Sequence, residues 1–112
     1  MELPNIPSNA TLGEWQSYIG ELVKARGWDR ADDLEIFLLL TEEVGELAKA
    51  YRRHRALFVE GHPGDEKTTH RELAGELADV LSYLLDLSQR LGVDLEQALV
   101  EKEQHNRGRE WS

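Results

Sequence analysis

Glu43-Val-Gly-Glu46 and Glu76-Leu-Ala-Asp79 each set two acidic residues three apart inside an apolar stretch of helical period. At that spacing both side chains share one helix face, with Cβ atoms about 5 to 6 Å apart. Two such helices side by side would gather four carboxylates. Like charges crowded into a partly buried place repel and raise one another's pKa values unless a cation neutralises them. An oxygen-only set of this kind suits Mg²⁺, which takes carboxylates together with water and phosphate oxygens, and Mn²⁺ could replace it. The competing reading is a solvated acidic face, because a single E-x-x-E on a helix is common. What distinguishes these two motifs is that both interrupt core-type sequence, Val44 and Leu47 around one and Leu77 and Val80 around the other.

Glu42 precedes the first motif and lies about 100° around the helix from Glu43. Beside an activated water it would act as a general base. As a surface residue it would simply pair with a basic side chain. Glu72, four before Glu76, is accounted for by a capping role at Thr69. Di-iron bundles also gather glutamates from facing helices, but they pair them with histidine at Glu-x-x-His spacing. Here the residue three after Glu46 is Lys49, and His54, His62, His70 and His105 fall in or beside loops and helix ends without zinc-like grouping, as exposed side chains would. Cations collect at the C-terminal end instead. Lys102, Asn106 and Arg109 either complement a helix dipole or hold phosphate oxygens. Trp28, just beyond Gly27, either stacks on a nucleobase or pins its loop to the core.

Four helices are needed to position these groups. Thr11-x-x-Glu14 has capping-box spacing, and Leu12, Trp15, Ile19, Leu22 and Val23 follow at helical intervals up to Gly27. Asp32-x-x-Glu35 opens a second helix that runs to about His54. Its stretch Ile36-Phe37-Leu38-Leu39-Leu40 is apolar on more than one face, which predicts burial within the subunit and against a partner. Residues 56–68, with Gly61, Pro63 and Gly64, read as a loop that could close over a substrate. Thr69-x-x-Glu72 then predicts a third helix ending at Gly92, and Asp94-x-x-Gln97 a fourth reaching about Asn106. Residues 1–10 read as an extended arm. No segment alternates as a strand does, so the fold class is all-α, a single domain of four-helix bundle type over residues 1–112.

The chain has 112 residues, 40% hydrophobic content, no cysteine and a formal net charge of -9. That charge argues against coating nucleic acid, which relies on basic surface. An acidic protein can nevertheless bind a polyphosphate when metal ions bridge the two negative partners. Without a membrane-length apolar run or a signal-like start, a cytoplasmic protein with no membrane partner is expected.

Taken together the motifs resemble those of the MazG-type all-α nucleotide pyrophosphohydrolases. Arg26-Gly-Trp-Asp29 is similar to the segment before that family's first acidic helix. Glu42-Glu-Val-Gly-Glu-Leu47 and Glu76-Leu-Ala-Asp-Val-Leu81 resemble its two metal motifs, and Lys102 to Arg109 its lysine, asparagine and arginine signature, with Glu110 and Trp111 where an aromatic and a proline often follow. The resemblance implies Mg²⁺-dependent hydrolysis of nucleoside triphosphates to monophosphate and pyrophosphate by a homodimer or homotetramer. Glu43, Glu46, Glu76 and Asp79 would hold metal, Glu42 would orient or deprotonate water, and Lys102, Asn106 and Arg109 would grip phosphates. Of the side chains that dCTP-preferring members place around the base, Trp28 alone finds a match, since Ile19 and Arg53 do not supply that stacking. A housekeeping pyrophosphatase of standard or damaged (deoxy)nucleotides is expected, the base left open. The alternatives are a related dUTP-type or phosphoribosyl-ATP-type enzyme, or a helical dimer that binds nucleotide without turnover.

Overall fold

The computed structural model describes residues 2–57, 61 and 64–109. Helix α1, Leu12–Ala25, begins at the capping box: Thr11 Oγ1 accepts from the Glu14 N–H at 3.1 Å, and Glu14 Oε1 accepts from the Thr11 N–H at 3.2 Å. It ends before Gly27, whose φ of 73° lies in the left-handed region that a Cβ disfavours. A 3₁₀ turn at Trp28–Arg30 leads to α2, Asp33–His54. Helices α3, Glu66–Arg90, and α4, Leu95–Arg107, complete the set. Among the described residues there is no strand, so the all-α expectation holds. None of the described helices is long and apolar enough to cross a membrane.

The chain divides into two compact units, residues 34–84 and the segments on either side of them. In the flanking unit the helical stripe of α1 does what its spacing implies. Ile19 and Val23 are buried with Leu85, and Leu12, Trp15, Tyr18 and Leu95 are packed against them. Two polar clamps join its pieces. The buried Gln16 amide donates to Gln89 Oε1 at 3.0 Å and to the Val93 carbonyl at 2.6 Å, and accepts from the Leu95 N–H at 3.1 Å. Arg90 donates to Asp86 at 2.7 Å, to the Trp28 carbonyl at 2.8 Å and to the Ala31 carbonyl, so it holds the 3₁₀ turn by its backbone. At the end of α3 the Gly92 N–H reaches the Gln89 carbonyl and the Val93 N–H the Ser88 carbonyl, closing the helix as a Gly-terminated cap. Asp94 caps α4 through the Gln97 N–H at 3.0 Å.

In the unit of residues 34–84, α2 and the first part of α3 run antiparallel. Arg53 meets Glu72, His54 meets Thr69, and Glu43 meets Glu76 and Asp79, so partners rise along one helix as they fall along the other. The third helix starts earlier than the Thr69 signal suggests. Asp65 supplies the cap, its carboxylate accepting from the Thr68 N–H at 2.8 Å and from the Thr68 hydroxyl at 3.0 Å. Those bonds, the backbone one foremost, hold the Asp65 pKa below its ordinary value. Thr69 is instead buried inside the helix, donating to the Glu66 carbonyl at 3.1 Å. Its hydroxyl proton is thereby committed, so His54 Nδ1, 3.0 Å away, is the donor between them. His54 is therefore half-buried and bonded, against the expectation of exposure, whereas His70 and His105 are exposed. Residues 58–60, 62–63 and 110–112, and with them His62, Glu110, Trp111 and much of the expected loop, lie outside the described residues. The wide apolar surface of α2 is present: Ile36 is buried, while Leu34, Phe37, Leu38 and Val44 stay exposed, as do Leu77 and Leu81 on α3.

Candidate metal centre and adjoining cleft

Because α2 and α3 are antiparallel, the i, i+3 pair of one helix comes opposite that of the other. Glu43, Glu76 and Asp79 each offer a carboxylate oxygen, and these oxygens lie within 4.8 Å of one another. Glu43 and Glu76 are half-buried and Asp79 is exposed. The crowding has the electrostatic consequence anticipated from the spacing. Glu43 has its pKa raised, first by desolvation, then by a side-chain hydrogen bond with Glu76, then by the charges of Asp79, Glu76 and Glu46.

The donor set fits a hard divalent cation. Three carboxylates from two rigid helices, with neither sulfur nor imidazole in the group, match the oxygen preference of Mg²⁺ or Mn²⁺ rather than that of zinc. Glu46, the fourth expected ligand, is exposed and outside this group of three, though its charge acts on Glu43. Glu42 is exposed on α2.

Beside the acids, Glu46, Lys49, Ala50, Arg53, Glu72 and Glu76 line a cleft of about 210 Å³. Arg53 Nη1 donates to Glu72 Oε2 at 3.2 Å across it. The sequence reading missed this wall. Its signal was the continuation of the acidic stripe in steps of three and four along α2, from Glu46 through Lys49 and Ala50 to Arg53. Glu72, assigned there to capping, is the partner of Arg53 instead, because the helix begins a turn earlier at Asp65.

The other expected site residues belong to the flanking unit. Trp28 is 52% exposed, with the Arg26 guanidinium carbon 5.2 Å from its ring centroid. Its backbone is fixed by Arg90, and its side chain is held between Arg26 and solvent. Lys102 and Asn106 are four apart on α4, and Arg109, just past its end, donates its N–H to the Asn106 carbonyl at 3.2 Å.

Carboxylates of two antiparallel helices gathered in this way make the all-α protein one with a candidate oxygen-ligand cation site. More narrowly, the chain belongs to the MazG family, since residues 32–109 match the MazG nucleotide pyrophosphohydrolase domain. It is 35% identical over 103 residues to dCTP pyrophosphatase 1 of Homo sapiens, covering 88% of this chain and 58% of that protein. It is likewise 35% identical over 103 residues to a dATP/dGTP diphosphohydrolase of Cyanophage S-2L, covering 92% of this chain and 80% of that one. YvdC of Bacillus subtilis is 30% identical over 93 residues. The chain thus spans little more than half the length of the dCTP pyrophosphatases it matches.

Proposed function

We propose that this chain hydrolyses (deoxy)nucleoside triphosphates to the monophosphate and pyrophosphate in a divalent-metal site, with Mg²⁺ as the natural ion. The observation that carries the reading is the triad of Glu43, Glu76 and Asp79, whose oxygens converge within 4.8 Å in a family of nucleotide pyrophosphohydrolases. These residues, with Glu46, would hold the metal. A cation bound there neutralises phosphate charge and makes water a stronger acid. In the reaction a water oxygen bonds to the α-phosphorus as the bond to the α,β-bridging oxygen breaks, and pyrophosphate leaves with that oxygen. Glu42 takes the water proton on its carboxylate. Lys102, Asn106 and Arg109 are assigned to phosphate oxygens because they supply N–H donors that the acids lack. Trp28 is assigned to the nucleoside, its ring being half exposed. The relatives are named for dCTP and for dATP and dGTP, which differ in ring size and share an exocyclic amino group on the base. These names support reading the substrate as a deoxynucleotide, and the role as housekeeping of a cytoplasmic nucleotide pool.

The exposed Leu34, Phe37, Leu38, Leu77 and Leu81 support assembly as a homodimer or a pair of dimers, which would remove that surface from water. The deciding experiment is a panel of NTPs and dNTPs with Mg²⁺, separating monophosphate, diphosphate and pyrophosphate products, run with Glu46→Gln and Asp79→Asn variants. Monophosphate with pyrophosphate, lost in either variant, is the expected outcome. No turnover of any nucleotide by the folded, Mg²⁺-loaded protein would overturn the enzymatic reading.

A further inference from the structure

The cleft beside the acids contains a cation that no ion pair engages. Its lining includes Glu46, Glu72 and Glu76 as acids and Lys49 and Arg53 as bases. Arg53 Nη1 is bound to Glu72 Oε2 at 3.2 Å, so those two charges answer each other. Lys49 is exposed, and among the described residues it makes neither an ion pair nor a side-chain hydrogen bond.

Its position sets it apart from an ordinary surface lysine. Lys49 follows Glu46 by three residues on α2, which puts both on one helix face with Cβ atoms about 5 to 6 Å apart. The charges of Glu46, Glu76 and Asp79 all act on Glu43, so the acids form one electrostatic unit. An ammonium one turn away makes the local potential less negative, and a less negative potential draws a divalent cation less strongly. It does the opposite for a polyphosphate, which must approach a wall otherwise lined by carboxylates. A lysine carries several N–H donors on a flexible stem and can turn from a carboxylate to a phosphate oxygen. Arg53 is less suited to that task, because Glu72 holds it and would itself repel the anion.

We propose that Lys49 is a resident cation of the acid site that serves two partners in turn. In the metal-free protein it screens Glu46 and Glu76 and so weakens the hold on Mg²⁺. With Mg²⁺ in place the carboxylates are neutralised, and the ammonium donates to a phosphate oxygen of the nucleotide on the cleft side of the ion. Lys49 thus exchanges some affinity for the metal alone against affinity for the metal with its phosphate. The metal half of this role rests on the acid site, and the phosphate half rests on the pyrophosphohydrolase reading.

The test has two arms and compares the wild type with Lys49→Met, Lys49→Gln and Lys49→Arg. In the first, the metal-free proteins are titrated calorimetrically with MgCl₂ at low ionic strength, without nucleotide. A unit charge about 7 Å from a divalent ion in a water-like dielectric corresponds to roughly two- to eight-fold in affinity after screening. Lys49→Met and Lys49→Gln should bind Mg²⁺ more tightly by that factor, and Lys49→Arg should match the wild type. In the second arm, at saturating MgCl₂, binding is measured for a deoxynucleoside triphosphate whose α,β-bridging oxygen is replaced by methylene, which needs no turnover. KM and kcat are measured alongside on the hydrolysable triphosphate. Loss of a charge-assisted hydrogen bond should weaken the analogue and raise KM by roughly ten-fold, with kcat changed less and Lys49→Arg retaining most of the affinity. A thermal melt in EDTA checks that each variant is folded. Met and Gln variants that bind Mg²⁺ no more tightly than the wild type, or that bind the analogue equally well, overturn the proposal even if nucleotides are hydrolysed normally. Absence of turnover with both binding shifts present overturns the enzymatic reading and leaves the role of Lys49 standing.

Discussion

Replacing Glu43 by glutamine should stabilise the metal-free protein while removing its response to Mg²⁺. Glu43 confronts Glu76 and Asp79 with oxygens no more than 4.8 Å apart. Because the three residues are only half-buried or exposed, an effective dielectric near that of water is appropriate, and each pair then repels by about 1 kcal/mol. Removing the charge of Glu43 relieves two such pairs. Salt screening and partial protonation reduce the gain to about 1 to 2 kcal/mol, or roughly 4 to 8 °C in Tm for a domain of this size. The dependence on pH has a definite sign. The Glu43 pKa is raised above 4.5 in the folded state, so near pH 4 the group is largely neutral in both states and the variant gains nothing. As pH rises through the raised pKa, the wild type loses stability relative to the variant, and the gap is fully open near pH 8. The assay is a circular-dichroism melt of both proteins from pH 4 to pH 8, with EDTA and with excess MgCl₂. Mg²⁺ at about a hundred times its dissociation constant should stabilise the wild type by about 2.7 kcal/mol and the variant far less. A variant that melts no higher than the wild type in EDTA at pH 8, or that responds equally to Mg²⁺, would refute the idea that these acids form one crowded cation site.

Arg90→Ala should destabilise by about 3 to 5 kcal/mol in urea unfolding, because it strands the buried Asp86 carboxylate and frees the Trp28 and Ala31 carbonyls; a loss under 1 kcal/mol would show that the clamp is incidental. Leu38→Asp should convert the proposed oligomer to a 12.8 kDa monomer in size-exclusion chromatography with light scattering, since an unpaired carboxylate in an apolar contact is costly. An unchanged mass would place the subunit contact elsewhere.

Helix type and most boundaries were legible because they depend on local chemistry. The Thr11 and Asp94 caps, the Gly27 stop and the periods of α1 and α2 appear where the residues indicate. Where two local signals competed, the reading went to the wrong one. Thr69-x-x-Glu72 has capping spacing, but Asp65 and Thr68 lie just ahead of it, and His54 offers Thr69 a better use inside the fold. That choice is made by a residue fifteen positions away, which no local pattern contains. The acid triad was legible for the opposite reason. Two i, i+3 pairs constrain their own geometry, and only the pairing of helices had to be supplied. The Arg53–Glu72 wall depends on that pairing and on where α3 begins, so it emerged only with the structure.

The unit that carries the acids buries little of itself. Among the described residues of 34–84, Ile36 and Thr69 are buried, whereas Ile19, Val23 and Leu85 form the core of the other unit. The acid-bearing helices therefore hold like charges together with little apolar burial of their own to oppose the repulsion. Two external terms can offset it: a cation between the carboxylates, and a cover over Leu34, Phe37, Leu38, Leu77 and Leu81. Both act on α2 and α3 at once. A contact that fixes the spacing of these two helices also fixes the spacing of the acids, and a cation that draws the acids together tightens the helix pair that presents the apolar surface. In the proposed enzyme, metal binding and subunit assembly would then favour each other by reciprocal linkage, although the acids and the apolar side chains lie on different faces of the same helices.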